Sequence, residues 1–284
     1  ELLMQIFKHV ASLQKFLDSC RKDSQKITLV PTMGGLHDGH MCLIDRAQEL
    51  SYVVVVSIYV NPTQFSANED FETYPKTLTQ DKAFIKSKRI DALFIPLNSE
   101  IYPEGMSSDY DVGKLGQILC GISRPSHFNG VAQVVNRLLD IVKPNYSVFG
   151  QKDYQQLLII KSLVKSKDLD TIVESVPTIR EDDGLAMSTR NKYLSKDERA
   201  NASFFYRQLV KAKNAIMSGA AIKDARKQAL SELNDLFEVE YVEVLDANNL
   251  TQITTTTEEI IIISSVRLGE TRLIDNILFR SSNV

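Results

Sequence analysis

The 284-residue chain is 43% hydrophobic and 24% charged, the make-up of a soluble globular protein with room for one large domain or two ordinary ones. A net charge of −3 argues against a general nucleic-acid binder, which shows a basic face, and no apolar run of about 18 residues exists to cross a membrane. Cys20, Cys42 and Cys120 are odd in number and scattered, as in a reducing compartment without disulfides; the opening stretch ELLMQIFKHV is too short and mixed for a signal peptide, so the expected location is cytoplasmic.

In chain order, residues 9–22 set Val10, Leu13 and Leu17 on one stripe, which predicts an amphipathic helix ahead of the first strand. Residues 27–30 predict a short buried strand, stopped by Pro31 and the pair Gly34-Gly35. Asp38 then reads as the cap of a helix over 38–50, with apolar positions from Met41, Leu43 and Ile44. The run YVVVVSIYV, residues 52–60, is expected of a strand buried on both faces. Further helices are predicted over 77–88, 131–142 and 153–165. Strands are predicted over 92–96, over 146–149 closed by Gly150, and over 170–176 ended by Pro177. Strands and helices alternating at these lengths imply α/β architecture, a Rossmann-like doubly wound parallel sheet with helices on both faces.

Beyond about residue 177 the character changes. Phe205, Leu209, Ala212 and Ile216 form one helical stripe, and Ile222, Ala225, Ala229, Leu233 and Leu236 another; both read as packing faces. Residues 239–245, 260–266 and 271–279 read as strands, the last two joined by Leu268-Gly269-Glu270. The expected division is a Rossmann-like domain over 1–177 and a smaller C-terminal α+β domain over 178–284.

Parallel sheets of this kind bind ligands beyond the carboxyl ends of their strands, where strand order reverses. The polar clusters PTMGGLHDGH, NPTQF, GQKDYQQ and TIREDDGLAMSTRN each follow a predicted strand. In the first, His37 and His40 lie beside the unpaired N–H groups of a helix N-terminus, which together with the helix dipole favour a phosphate. A metal pair is the rival reading of His-x-x-His, but no third ligand has zinc-type spacing, so it ranks below. The P-loop string G-x-x-x-x-G-K-[ST], the dinucleotide string G-x-G-x-x-G after a strand and the nucleophile elbow G-x-S-x-G are all absent.

His-x-Gly-His at the head of such a helix resembles the signature of nucleotidyltransferases and class I aminoacyl-tRNA synthetases. The longer PTMGGLHDGH resembles the pantothenate synthetase (pantoate–β-alanine ligase) family, whose usual form is PTMGALHxGH; Gly35 stands where alanine is usual. SRPSHFNGV, residues 123–131, resembles the family's SRPxHFxGV. GQKD, residues 150–153, resembles an ATP-binding segment. MSTR, residues 187–190, resembles the family's MSSR, with Thr189 for serine. These motifs run from Pro31 to Leu194 in family order and at family spacing.

The resemblance implies that ATP and pantoate give pantoyl adenylate, and that β-alanine then gives pantothenate and AMP, a step of coenzyme A (vitamin B5) biosynthesis. It implies ATP contacts at Met33, Gly34, Gly35, Leu36, His37, Asp38, Gly39 and His40. Further ATP contacts are implied at Gly150, Gln151, Lys152, Asp153, Ile179, Met187, Ser188, Thr189 and Arg190. His40 is implied as proton donor, with His37, Lys152 and Arg190 the other catalytic groups. Asp153, at a helix start, reads equally as a plain N-cap. Gln64 is implied to touch pantoate and β-alanine, and Gln156 pantoate. Arg124 offers forked donors to a phosphate or carboxylate, whereas His127 reads as structural. Asp81 is the magnesium-side candidate, and the family also implies Mg²⁺ and a homodimer. Gly184 suggests local freedom for the loop reaching Arg190, and residues 178–284 are expected to act as a lid. The absence of a protein nucleophile suits attack of a substrate carboxylate on the α-phosphorus, with the enzyme supplying position and positive charge. The alternatives are a nucleotidyltransferase acting on a phosphate-bearing acceptor, and an idle nucleotide-binding module. The neutral Gln64 and Gln156 count against the first, and the presence of His37, His40, Lys152 and Arg190 together counts against the second.

Overall fold

The computed structural model describes residues 4–66, 69–106 and 110–280. It divides into two compact units: one holds the chain up to Gln151 together with Gln156–Pro177, the other Lys152–Gln155 together with the chain from Thr178 on.

The first unit runs β1 (Gln5–Phe7), α1 (Val10–Lys22), β2 (Ile27–Thr32), α2 (Asp38–Leu50), β3 (Val53–Ile58), α3 (Leu78–Ile85) and β4 (Ala92–Phe94). The single turns α4 (Asn98–Ile101) and α5 (Cys120–Ser123) lead to α6 (His127–Val142), β5 (Tyr146–Gly150), α7 (Tyr154–Ser166) and β6 (Ile172–Val176). The strands form one six-stranded sheet in the order β1-β4-β3-β2-β5-β6, every pair parallel. Alternation along the strands divides the core. Val30, Val54, Val56, Leu93 and Val148 face Met41, Ile44 and Ala47 of α2 and Ile85 of α3. The residues of opposite parity, among them Leu29, Val55 and Ala92, are equally buried, and α6 packs on β2 and α1. A sheet covered on both faces has no need of an outward polar set, and all six residues of β3 are accordingly buried.

Several elements differ from the sequence reading, three of them for local reasons that the structure shows. Pro31 lies inside β2, paired with Ser57. The neighbouring Thr32 takes the β3-side bond, its carbonyl accepting from Tyr59. Pro31 therefore points toward β5, whose ladder with β2 covers only Thr28 and Leu29, so the N–H that proline lacks has no strand to meet. The edge strand β1 precedes α1, where the sequence reading has no strand, because its three residues are too few to show alternation. Helix α6 begins at His127, four residues before the apolar run, and takes in Gly130. That glycine is a packing device: a Cβ there would come 2.3 Å from the Thr63 carbonyl oxygen.

The second unit holds α8 (Lys196–Ala202), α9 (Phe204–Met217), α10 (Ile222–Leu233), β7 (Glu238–Asp246), β8 (Glu259–Leu268) and β9 (Thr271–Arg280). Its strands form an antiparallel sheet in the order β7-β8-β9. Phe205, Leu209, Ala212 and Ile216 of α9 and Ala225, Ala229 and Leu233 of α10 pack with Ile260, Ile262 and Val266. Leu236, expected to continue the α10 stripe, lies beyond the helix end and is exposed. Helix α8, not read from the sequence, opens on a capping box: the Ser195 hydroxyl accepts from Glu198 N–H at 3.3 Å, and the Glu198 carboxylate accepts from Ser195 N–H at 2.7 Å.

Replacing Gly130 by alanine would drive a methyl group into the backbone of the turn at Pro62–Gln64. Gly130→Ala is expected to lower stability by about 1–3 kcal/mol, read as a lower urea midpoint at unchanged slope. A midpoint equal to the parent's would show that α6 can move away freely.

Candidate active site

In the six-stranded sheet the chain leaves β2 toward β3 and β4 on one side and returns to β5 and β6 on the other. Order therefore reverses between the carboxyl ends of β2 and β5, where such sheets open a crevice. The turn after β2 occupies that place. Gly34 and Gly35 take φ of +82° and +63°, conformations that cost glycine nothing, and Leu36 is buried.

His37, not Asp38, caps α2. Its Nδ1 accepts from Gly39 N–H at 3.1 Å, while His40 Nδ1 accepts from His37 N–H at 3.3 Å, a capping box made of imidazoles. Accepting at Nδ1 requires the lone pair there, so the neutral form of each ring carries its proton on Nε2. Both side chains are thus fixed in one tautomer by the backbone they cap, with ring centroids 4.2 Å apart. Asp38 takes the first helical position, exposed, where a carboxylate suits the dipole.

Asp81, expected beside a metal, serves the turn instead. It is 3% exposed, and its two oxygens accept from Gly35 N–H at 3.1 Å and Leu36 N–H at 2.8 Å. The Thr77 hydroxyl donates to both oxygens at 3.2 Å. Gly34 is required by this arrangement, since a Cβ there would lie 3.0 Å from Asp81 Oδ2. Among the described residues no group of three His, Cys, Asp or Glu side chains could hold a metal ion.

Gln64 lies in the turn after β3, buried among groups that leave its amide little rotation. Its Nε2 donates to Met33 Sδ at 2.9 Å, and its Oε1 accepts from Asn61 Nδ2 at 3.1 Å. Asn61 is 1% exposed; it also donates to the Gly130 carbonyl and accepts from the Tyr102 hydroxyl at 2.7 Å. Burial pushes the Tyr59 and Tyr102 phenols upward, so both stay neutral donors. The backbone carbonyl of Gln64 accepts from His127 Nδ1 at 2.8 Å. His127 therefore carries its proton on Nδ1, the tautomer opposite to His37 and His40.

Arg124, expected to meet substrate, is engaged within the protein. Its Nε and one terminal nitrogen donate to Glu69 at 2.5 and 2.6 Å, and that nitrogen also reaches the Gln64 carbonyl at 3.4 Å. Glu69 in turn accepts from Ser66 N–H at 3.2 Å. Asn61, Glu69 and Tyr102 were not singled out from the sequence. Only Asn61 had a local signal there, as the residue opening NPTQF. Gln156 lies on α7, half-buried. Gly150 closes β5, and Gln151 starts the single turn Gln151–Asp153.

Lys152 and Asp153 group with the second unit; their charges are 3.9 Å apart and the Asp153 side chain is the more exposed. Tyr154 O–H donates to the Ala247 carbonyl at 2.9 Å. Ile179 and Met187 stand opposite each other across a turn, Met187 N–H donating to the Ile179 carbonyl at 2.9 Å. Ser188 caps the short turn Thr189–Tyr193 by accepting from Arg190 N–H at 3.3 Å, and Thr189 is buried. Gly184 packs closely on Tyr206: a Cβ there would lie 2.6 Å from the ring, and its φ of +95° favours glycine. Of the acids beside it, Asp183 accepts from Arg199 at 2.6 Å, which holds its carboxyl below the ordinary value.

The family model for Pantoate-beta-alanine ligase matches residues 5–278 of the chain. A pantothenate synthetase from Ruthia magnifica subsp. Calyptogena magnifica is 49% identical over 98% of this chain and 99% of its own length. One from Syntrophomonas wolfei subsp. wolfei is 41% identical over 97% and 99%. A pantothenate synthetase structure from Thermus thermophilus superposes with a TM-score of 0.90 at 37% identity, covering 96% of this chain and 99% of that one. The pantoate-beta-alanine ligase from Francisella tularensis, solved with beta-gamma ATP and beta-alanine, gives 0.81 at 35% identity and 97% of each chain.

If Arg124 acts through Glu69, losing either partner is the same lesion. Arg124→Gln and Glu69→Gln are expected to lower stability alike, with a coupling energy of about 0.5–3 kcal/mol in the double variant. Additive effects, with a kinetic defect confined to Arg124→Gln, would return Arg124 to the substrate.

Proposed function

This chain belongs to the pantoate-β-alanine ligase family, and from that premise we propose that it joins pantoate to β-alanine through a pantoyl adenylate, using ATP, in the cytoplasm. One carboxylate oxygen of pantoate attacks the α-phosphorus; the bond to the bridging oxygen breaks and pyrophosphate leaves. The amine of β-alanine then attacks the acyl carbon, AMP leaves with the carboxylate-derived oxygen, and the nitrogen loses its proton as the amide forms. No protein group needs to become covalently attached.

The observation that carries the reading is the imidazole capping box. His37 and His40 are held with their protons on Nε2 at a helix N-terminus, where donors and dipole both favour charge building on the phosphates. His40 is the proton donor of this scheme and Lys152 and Arg190 its fixed cations. Gln64, already oriented by Met33 and Asn61, offers a neutral amide to pantoate and β-alanine; Gln156 does the same for pantoate. Met33–His40, Gly150–Asp153, Ile179 and the stretch 187–190 take the nucleotide. Mg²⁺ arrives with ATP, its ligands phosphate oxygens and water. Residues 178–284 act as a lid, because a mixed anhydride must be kept from water. The chain works as a homodimer, which sedimentation velocity would test.

Oxygen-18 placed in the pantoate carboxylate is expected to appear in AMP. Label found only in pantothenate, or in inorganic phosphate, would refute the adenylate. His40→Ala should fold normally but release pyrophosphate about 100–1,000-fold more slowly, the usual loss of one donor to developing charge. A near-parental rate would mean the helix N-terminus suffices.

A further inference from the structure

The middle of β9 breaks the alternation expected of a strand on a one-sided sheet. Asp275 and Asn276 are adjacent yet 2% and 1% exposed, and each is tied to a segment far away in sequence. The Asp275 carboxylate accepts from both terminal nitrogens of Arg180, at 2.6 and 2.9 Å. The same guanidinium donates to the carbonyls of Gly184 at 3.1 Å and Asn276 at 3.3 Å, and lies 3.6 Å over the Tyr206 ring. Arg180 pairs with Ala186 across the turn whose open end is Ile179 and Met187. The Asn276 side chain donates from Nδ2 to the Lys152 carbonyl at 3.0 Å. All these residues belong to the second unit.

Cohesion alone does not account for a buried ion pair at this place. The unit already has a continuous apolar core between its helices and sheet, and burying two charges costs solvation that apolar residues of the same volume would not. What the bidentate pair contributes is direction, because a forked guanidinium fixes both its own backbone and the carbonyls it reaches. The segments so fixed are the ones assigned above to the nucleotide.

We propose that Asp275 and Asn276 are positioning residues for ATP. Asp275 acts through Arg180 on the turn that carries Ile179 and residues 187–190, and Asn276 acts through the Lys152 carbonyl on the Lys152 cation. The proposal rests on the reading of Lys152 and Arg190 as phosphate partners. In this role neither Asp275 nor Asn276 needs to touch the nucleotide, since both side chains are spent on Arg180 and Lys152.

The test is a kinetic cycle on pyrophosphate release in the presence of pantoate. Lys152→Ala should lower kcat/KM for ATP about 100-fold or more, and Asn276→Ala about tenfold, as for a slightly misplaced group. If Asn276 works through Lys152, the double variant should be no worse than Lys152→Ala. In Asn276→Ala the KM for ATP should rise while the KM for pantoate stays near the parent's; a general loss of folded enzyme would lower kcat and leave both KM values unchanged. Asn276→Ser, which keeps a short donor, should recover part of the loss and stands in if the alanine variant does not fold. The same cycle with Asp275→Asn and Arg190→Ala tests the other arm. Multiplying effects in the double variants, or an Asn276→Ala enzyme with parental kcat/KM for ATP, would overturn the positioning role while leaving the phosphate partners in place. A Lys152→Ala enzyme that uses ATP normally would instead overturn the phosphate reading, and this proposal with it.

Discussion

Two adjacent backbone N–H groups, those of Gly35 and Leu36, point into one buried carboxylate, Asp81. A turn with two residues at positive φ has peptide groups that no strand or helix can satisfy, and leaving them unpaired inside the protein would cost about 1–3 kcal/mol each. Asp81 answers that need from α3, a helix between β3 and β4. Fixing the turn fixes where α2 begins, and the start of α2 fixes both imidazoles, because each is held by a backbone N–H of that first turn. The tautomer of the two histidines is therefore a property of the fold. Had either ring used Nδ1 as a donor, its proton would face its own backbone and Nε2 would offer a lone pair where the proposed chemistry calls for a proton.

A second network supports Gln64 in the same manner from another direction. The turn after β3 is pressed against α6 so closely that only glycine fits at position 130. Contact of backbone on backbone puts the Gly130 carbonyl within reach of Asn61, which then orients the Gln64 amide. Arg124, Glu69 and His127 close the other side of that turn. The SRPSHFNG stretch thus gains its meaning from packing: a charged pair only 14% and 19% exposed and an imidazole bonded to a carbonyl hold a loop. A neutral amide suits such a site, because it can bond a carboxylate or hydroxyl without having to be desolvated as a charge.

The second unit follows the same economy with different parts. Its helices and sheet share an apolar core, and its buried Asp275 and Asn276 tie β9 to the turn after residue 178 and to the stretch around Lys152. Gly184, which the sequence suggested as a source of local freedom, also belongs to this arrangement as a contact, pressed on Tyr206. Asp183, one of three consecutive acids, is spoken for by Arg199.

The sequence by itself determined five of the six strands of the parallel sheet and their order of appearance, all but the three-residue edge strand β1, since a run such as VVVVSI can be satisfied only where both faces are covered. It also determined which strand ends carry polar clusters, and the motifs in those clusters were enough to indicate the family. Both are local properties: period, breakers and residue strings survive without knowledge of what lies opposite. Tertiary structure alone decided what Asp81 and Arg124 do. Each is a charged side chain in a motif, and whether such a group faces a ligand or a distant backbone depends on a partner dozens of residues away, Gly35 and Leu36 in one case and Glu69 in the other. It likewise decided the place of Pro31 within β2, through the early end of the ladder to β5, and the role of His37 as cap in place of Asp38. Imidazole and carboxylate are both competent acceptors at a helix start; which one serves is settled by where the preceding turn delivers the chain, and that turn is held by a residue on another helix.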